Sequence, residues 1–369
     1  MGWTKALFGR LTMWSSKKSS ADSESSSSTS YPPVFAVDRT EVAVATATGV
    51  PELTLRELNK ATRSFSAAML IGRGKNNTAV YRASLPIGDG KAAAVAKRLG
   101  HPPASLSSSG TWNASDDEFL RQKVLVLSRL RHDNLVRLLG YTIDTTAGVR
   151  VLLFEFADMG TLHDVLHGPT GDPAAEPASS RPALSWSQRT GIALDVARGL
   201  EYLHDAAAVS HRAINSTKVL LFQGFRAKIA DYDLFMQLPS DEDKAVNAVE
   251  FSWYPPEYVM TGQRGRKFDV YSYGVVLLEL LTGRKRCAAT PDLRKLLEWA
   301  ASILREGRVE GFMDPKLGTQ YPPARALKLA RIAMCCLQEN PKSRPSMADV
   351  AQTISCHIVS SETSMGQAV

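Results

Sequence analysis

The chain has 369 residues, 44% apolar and 22% charged, with 44 Lys and Arg against 37 Asp and Glu for a net charge of +7. This balance excludes a collagen-like, wholly disordered or disulfide-scaffold protein and fits a globular chain of one two-lobed domain or two to three smaller ones. The four cysteines, Cys287, Cys335, Cys336 and Cys356, have neither zinc-ligand nor redox spacing, so they read as reduced thiols of an intracellular protein. The mild basic excess does not call for nucleic acid as a partner.

The first twenty residues hold Lys5, Arg10, Lys17 and Lys18 and no acid, while Trp3, Leu7, Leu11 and Trp14 fall on one helical face. An aromatic and aliphatic stripe beside lysines suits a membrane surface, with residues 1–18 lying in it. A transit peptide and a plain tail remain open readings. Met1-Gly2 resembles a myristoylation start, but the position that motif gives to Ser or Thr is Ala6. No run is long and apolar enough for a transmembrane helix. The expected location is cytoplasmic and peripheral at the plasma membrane, with chloroplast targeting less favoured.

Ser19 to Ser30 reads as a linker, and residues 1–50 as a disordered tail. Leu55, Leu58, Ala61 and Phe65 predict a short helix. Met69 to Ala83 and Ala92 to Arg98 predict strand, turn and strand. Residues 101–115, rich in Ser, Pro and Gly, predict a loop. Phe119 to Leu130 carries helical period, with Leu120, Val124, Leu127 and Arg131 along one face, and Arg150 to Phe156 is a strand.

Residues 168–182 read as a second insert. Ser185 with Gln188 forms a capping box before a helix that lines up Ile192, Val196, Gly199, Leu200 and Leu203. Helices are expected at 269–282, 291–305, 323–338 and 346–356, the first stopped by Gly283 and the last capped by Ser346 and Asp349. A strand-rich front and a helical back define an α+β fold with two lobes. The expected domain covers 53–356, followed by a flexible tail at 357–369.

Several short motifs fall in order along this frame. Ile71-Gly72-Arg73-Gly74 opens a glycine turn followed by Val80-Tyr81, and Lys97 lies on a strand. Then come His211-Arg212, Asp231-Tyr232-Asp233, Pro255-Pro256-Glu257, Asp269-Val270-Tyr271-Ser272-Tyr273-Gly274 and Arg344-Pro345. Their order and spacing resemble the protein-kinase signature set. Leu53 to Leu58, Phe154 to Gly168, Ala227 to Leu234 and Tyr258 to Gln263 are similar to the Pto-interacting-protein group of plant receptor-like cytoplasmic kinases. The resemblance implies a two-lobed kinase fold, with a small β-rich lobe and a larger helical one. It implies ATP and Mg²⁺ as the ligands to test, Gly72, Gly74, Val80, Lys97, Glu155, Ala157 and Asp231 around the nucleotide, and Asp231 on the metal.

Within that resemblance the chemistry departs from the family. The family's catalytic loop carries an Asp base, a Lys two residues on and a metal-binding Asn. Here those positions are Ala213, Asn215 and Lys218. A methyl group accepts no proton, and an ammonium repels a metal ion. Loss of a general base alone slows such a reaction by about 10²–10⁴-fold. The third glycine is replaced around Asn77 and Thr78. The helix position that would pair with Lys97 is Gln122 or Lys123. Val95 crowds the adenine roof beside the bulky Phe154. Ala245 to Val249 offers no hydroxyl for phosphorylation, which leaves Arg212 without an obvious phosphate to meet, and Glu250 stands at the docking threonine.

The scaffold residues of the resemblance remain. Glu257 and Arg344 are expected as a buried ion pair, and Asp269 beneath the catalytic loop. Lys97 and Asp231 are open to a second role, as a mutual ion pair shaping the cleft. The expectation is therefore a pseudokinase that scaffolds or biases a protein kinase or binds kinase substrates, with no intact catalytic residue. The alternative is a weak serine/threonine kinase using a displaced carboxylate such as Asp233.

Overall fold

The computed structural model describes residues 49–74, 77–87, 90–102, 111–168, 183–232, 254–262, 264–285, 293–307 and 309–359. The N-terminal segment 1–48, the centres of both inserts, residues 233–253 with Asp233 and Glu250, Cys287 and the tail from 360 lie outside the described residues.

A five-stranded antiparallel sheet forms the front lobe, in the order β1-β2-β3-β5-β4. The strands are β1 (Leu70–Arg73), β2 (Ala79–Ile87), β3 (Gly90–Arg98), β4 (Leu138–Asp144) and β5 (Val149–Glu155). The side-chain period of two separates its faces. Tyr81, Ala94, Ala96 and Leu153 form one buried layer with Leu58 and Ala61 of α1 (Leu55–Thr62). Thr54 and Glu57 close a capping box on α1 that seats it over the sheet. The other face carries Lys97, paired in register with Val80 of β2 and Leu152 of β5.

α2 (Ala114–Arg129) begins five residues before the expected Phe119. Asn113 and Asp116 cap it reciprocally, and Asp117 in its first turn is buried against Arg150, so two acids open a helix whose apolar period starts later. Arg131 falls beyond its end and is exposed, whereas Leu120, Val124 and Leu127 are buried.

The back lobe is helical: α3 (Leu162–His167), α4 (Trp186–Glu201), α5 (Pro256–Thr261), α6 (Arg266–Thr282), α7 (Leu293–Arg305), α8 (Pro323–Cys336) and α9 (Met347–Ile354). A hairpin of β6 (Val219–Phe222) and β7 (Arg226–Ile229) lies between α4 and α5 in sequence. α6 is buried along nearly its whole length, so it is the central helix of this lobe. Gly274 lets α8 approach it: a Cβ there would come within 2.7 Å of Leu337 and 2.9 Å of Cys336. Packed structure runs slightly past 53–356, to Val50 at one end and Ile358 at the other, both buried. Among the described residues no helix is long and apolar enough to cross a membrane.

Candidate functional site: a cleft with two lysines on one carboxylate

β3 delivers Lys97 from the front lobe, and the β6–β7 hairpin delivers Lys218 and Asp231 from the back lobe. In that hairpin Val219 pairs with Ile229, and Ala230 N–H donates to the Lys218 carbonyl at 2.9 Å. The register thereby places Lys218 beside Asp231. Asp231 takes a left-handed backbone with φ of 59°, and the neighbouring Tyr232 is buried, its hydroxyl donating to the Val136 carbonyl at 2.8 Å.

Asp231 is thus gripped from both lobes. Lys97 Nζ donates to its Oδ1 at 2.7 Å, and Lys218 Nζ donates to its Oδ2. Burial pushes the Asp231 carboxyl up, but the Lys97 and Lys218 ammonium groups outweigh it and hold the carboxyl far below the usual range. The side chains are 22% (Lys97), 32% (Lys218) and 28% (Asp231) exposed, so the cluster remains open to a ligand.

The catalytic-loop segment is held from below. Asp269 of α6 is fully buried and accepts the His211 N–H at 2.7 Å and the Arg212 N–H, with His204 Nε2 2.9 Å away. The Ala213 N–H donates to His211 Nδ1 at 3.3 Å, so His211 Nε2 carries the proton and donates to the Ala230 carbonyl at 3.0 Å. Burial pushes the His211 pKa down and keeps the ring neutral. Asn215 caps the turn Ser216–Lys218 through the Thr217 N–H. The loop is therefore fully braced, yet it presents a methyl group at Ala213.

The glycine turn closes with Gly74 N–H donating to the Thr78 carbonyl at 2.7 Å. Asn77 in this turn has φ of 55°, a left-handed conformation that Asn tolerates better than most residues. Gly72 faces open space and Ile71 is 54% exposed. Glu155 points its carboxylate away from the lysine cluster: it binds Lys228 Nζ at 2.7 Å and accepts the Arg137 N–H at 2.8 Å. Its backbone N–H donates to the Arg137 carbonyl at 3.2 Å. Ala157 is half-buried in the turn that follows.

Lys97 does not rely on α2. Gln122 is exposed and donates to Glu118, and the Lys123 ammonium lies over the Phe119 ring at 5.4 Å. α2 is fastened to the sheet instead by Asp117, which accepts from Arg150 Nη2 at 2.7 Å. Sequence reasoning missed this link because a buried aspartate has no apolar signature. It also missed the Lys218–Asp231 bond, which becomes readable only once the hairpin register is known. In the back lobe, Arg344 donates to both Glu257 oxygens.

A cavity of about 390 Å³ lined by His132, Arg137, Glu155 and Lys228, among others, contains none of Lys97, Lys218 and Asp231. It therefore does not mark the cleft. A divalent ion does not fit the cleft as built. Both oxygens of its one retained acid are occupied by ammonium groups, and Lys218 stands where a neutral oxygen donor is needed.

A family model described as protein tyrosine and serine/threonine kinase matches residues 71–354, and the chain belongs to that family. Among curated relatives it is 43% identical to PTI1-like tyrosine-protein kinase 1 of Arabidopsis thaliana, over 83% of this chain and 81% of the relative, and 44% identical to PTI1-like tyrosine-protein kinase 3 of the same plant, over 83% and 72%. Among solved structures it resembles pseudokinase DRIK1, drought responsive inactive kinase 1, with a TM-score of 0.61 and 28% identity, covering 84% of this chain and 97% of that one. It also resembles the pseudokinase domain of BIR2, an immune regulator of the RLK/Pelle family, with a TM-score of 0.62 and 28% identity, over 84% and 87%.

Proposed function

We propose that this protein is a pseudokinase, a kinase-fold module that acts as a scaffold or allosteric partner for a protein kinase or a kinase substrate in plant signalling. One observation carries the reading: Asp231 is held by Lys97 and Lys218 beside a catalytic loop whose base position is Ala213. Phosphoryl transfer is mostly positioning and charge stabilisation. This cleft lacks the proton acceptor at Ala213, and its metal carboxylate is engaged elsewhere. The likeness to solved pseudokinases supports the reading, as does the intact bracing by Asp269 and by the Glu257–Arg344 pair.

The test is phosphotransfer from ATP with Mg²⁺ to itself and to a generic substrate, run beside Lys97→Met. The expected result is equal silence in both proteins. The relatives named as kinases favour a second reading, a weak protein kinase. The sequence resemblance points to serine/threonine specificity, whereas two of these relatives are named tyrosine-protein kinases. Phosphotransfer that disappears in Lys97→Met would establish the activity whichever hydroxyl it uses. Peripheral membrane contact through residues 1–18 is the accompanying proposal. It predicts that deleting them moves the protein out of the membrane fraction, and an unchanged fraction refutes it.

A further inference from the structure

We propose that the Lys218 ammonium is a tethered cation standing in for the divalent ion, so that the cleft takes the polyphosphate chain of a nucleoside triphosphate as a metal-free anion. This rests on the pseudokinase reading and deepens it, since it assigns the altered residues a ligand.

The geometry leads there in three steps. Two ammonium groups face one carboxylate, and +2 − 1 leaves a local charge of +1 at the meeting point of the lobes. Each ammonium has three N–H donors. The bond each makes to Asp231 leaves further donors, on side chains 22% and 32% exposed. In strand register Gly72 pairs with Val80, which pairs with Lys97, and a Cβ built on Gly72 meets no atom within 4 Å, so the backbone beside Lys97 leaves room for phosphate oxygens.

The same arrangement works against a metal. A phosphate-bound Mg²⁺ reaching Asp231 approaches a carboxylate that holds an ammonium on each oxygen, and it meets the charge of both at close range. Mg²⁺ also neutralises the phosphate charge that the lysines would bind. In this cleft the ion competes with the protein for the phosphates.

The experiment is calorimetric titration of the full chain with ATP, once in EDTA and once in excess Mg²⁺, with inorganic tripolyphosphate as a second probe. ATP should bind about tenfold or more tightly in EDTA than in Mg²⁺, the scale of one charge-assisted contact, and tripolyphosphate should compete with it. Lys218→Asn should reverse the order, with metal-free binding weakened and Mg²⁺ now helping. Binding that requires Mg²⁺ in the unaltered protein overturns the proposal, as does absence of ATP binding in both buffers. The unaltered chain decides the matter even where the variant fails to fold. Mg²⁺-dependent binding without phosphotransfer would sink this inference and leave the pseudokinase reading standing, whereas phosphotransfer would sink that reading.

Discussion

Lys218 binds the Asp231 oxygen that Lys97 leaves free, so one carboxylate is shared by two ammonium groups. The Lys97–Asp231 bond joins the lobes, because Lys97 comes from β3 and Asp231 follows β7.

This three-centre cluster predicts non-additive stability. Lys97→Met or Lys218→Met alone leaves Asp231 one cation, and each should cost only about 1 kcal/mol because the groups are partly solvated. The double substitution strands the carboxylate and should cost about 3 kcal/mol, more than the two singles combined. Urea denaturation of the four proteins measures the cycle. A strictly additive result would mean that the lysines act independently.

Arg344 is the second test of the frame. Its side chain is fully buried, and besides the Glu257 carboxylate it donates to the carbonyls of Gln338, Glu339 and Lys267, while its guanidinium lies 4.9 Å from the Tyr271 ring centre. Arg344→Ala should destabilise by about 3–5 kcal/mol, since it uncovers a charge and several acceptors together. Arg344→Lys should recover little, because one ammonium cannot reproduce a planar fork with this many bonds. Chemical denaturation of both variants checks the contrast.

The sequence makes the back lobe legible because its signals are local. Ser185 with Gln188, Ser346 with Asp349, and the left-handed stop at Gly283 all sit where the helices begin or end. β4 escapes the same reading. Its residues are buried on both faces, so no alternation appears, and Gly140 within it resembles a turn. That glycine answers to packing, since a Cβ would lie 2.6 Å from Leu53 Cδ1. α3 is hidden within the stretch from Phe154 to Gly168 because it is six residues long and rests on the Thr161–Asp164 capping box. At the site, the missing base at Ala213 and the wrong charge at Lys218 are visible in one dimension. The partner Lys218 chooses depends on strand register.

Gly274 tests the packing of the central helix. The atoms a Cβ would meet are Leu337 Cγ at 2.7 Å and Cys336 Cβ at 2.9 Å, and both residues are buried. Gly274→Ala should therefore cost about 1–3 kcal/mol by overpacking, despite the better helix propensity of alanine. Thermal melting should show a lowered midpoint. An unchanged or raised midpoint would show that α6 and α8 can separate cheaply.

His167 supplies the pH dependence. It sits at the end of α3 with its ring 5.1 Å from that of His163 and its Nε2 3.9 Å from Glu279 Oε1. Burial, followed by His163, Lys285 and Lys316, pushes its pKa down to about 4 from 6.5, and Asp314 opposes them. The folded protein thus prefers the neutral ring, while the unfolded chain takes up its proton near pH 6.5. Acid therefore pulls the equilibrium toward the unfolded state. The loss begins as pH falls below about 6.5, accumulates to about 3 kcal/mol, and levels off below about 4. Carboxylates add their own slope at the acid end, so the measurement is a difference: urea denaturation across this range for the unaltered protein and for His167→Gln. The variant should be less sensitive to acid between pH 6.5 and 4, and parallel curves would show that the ring is protonated equally in both states.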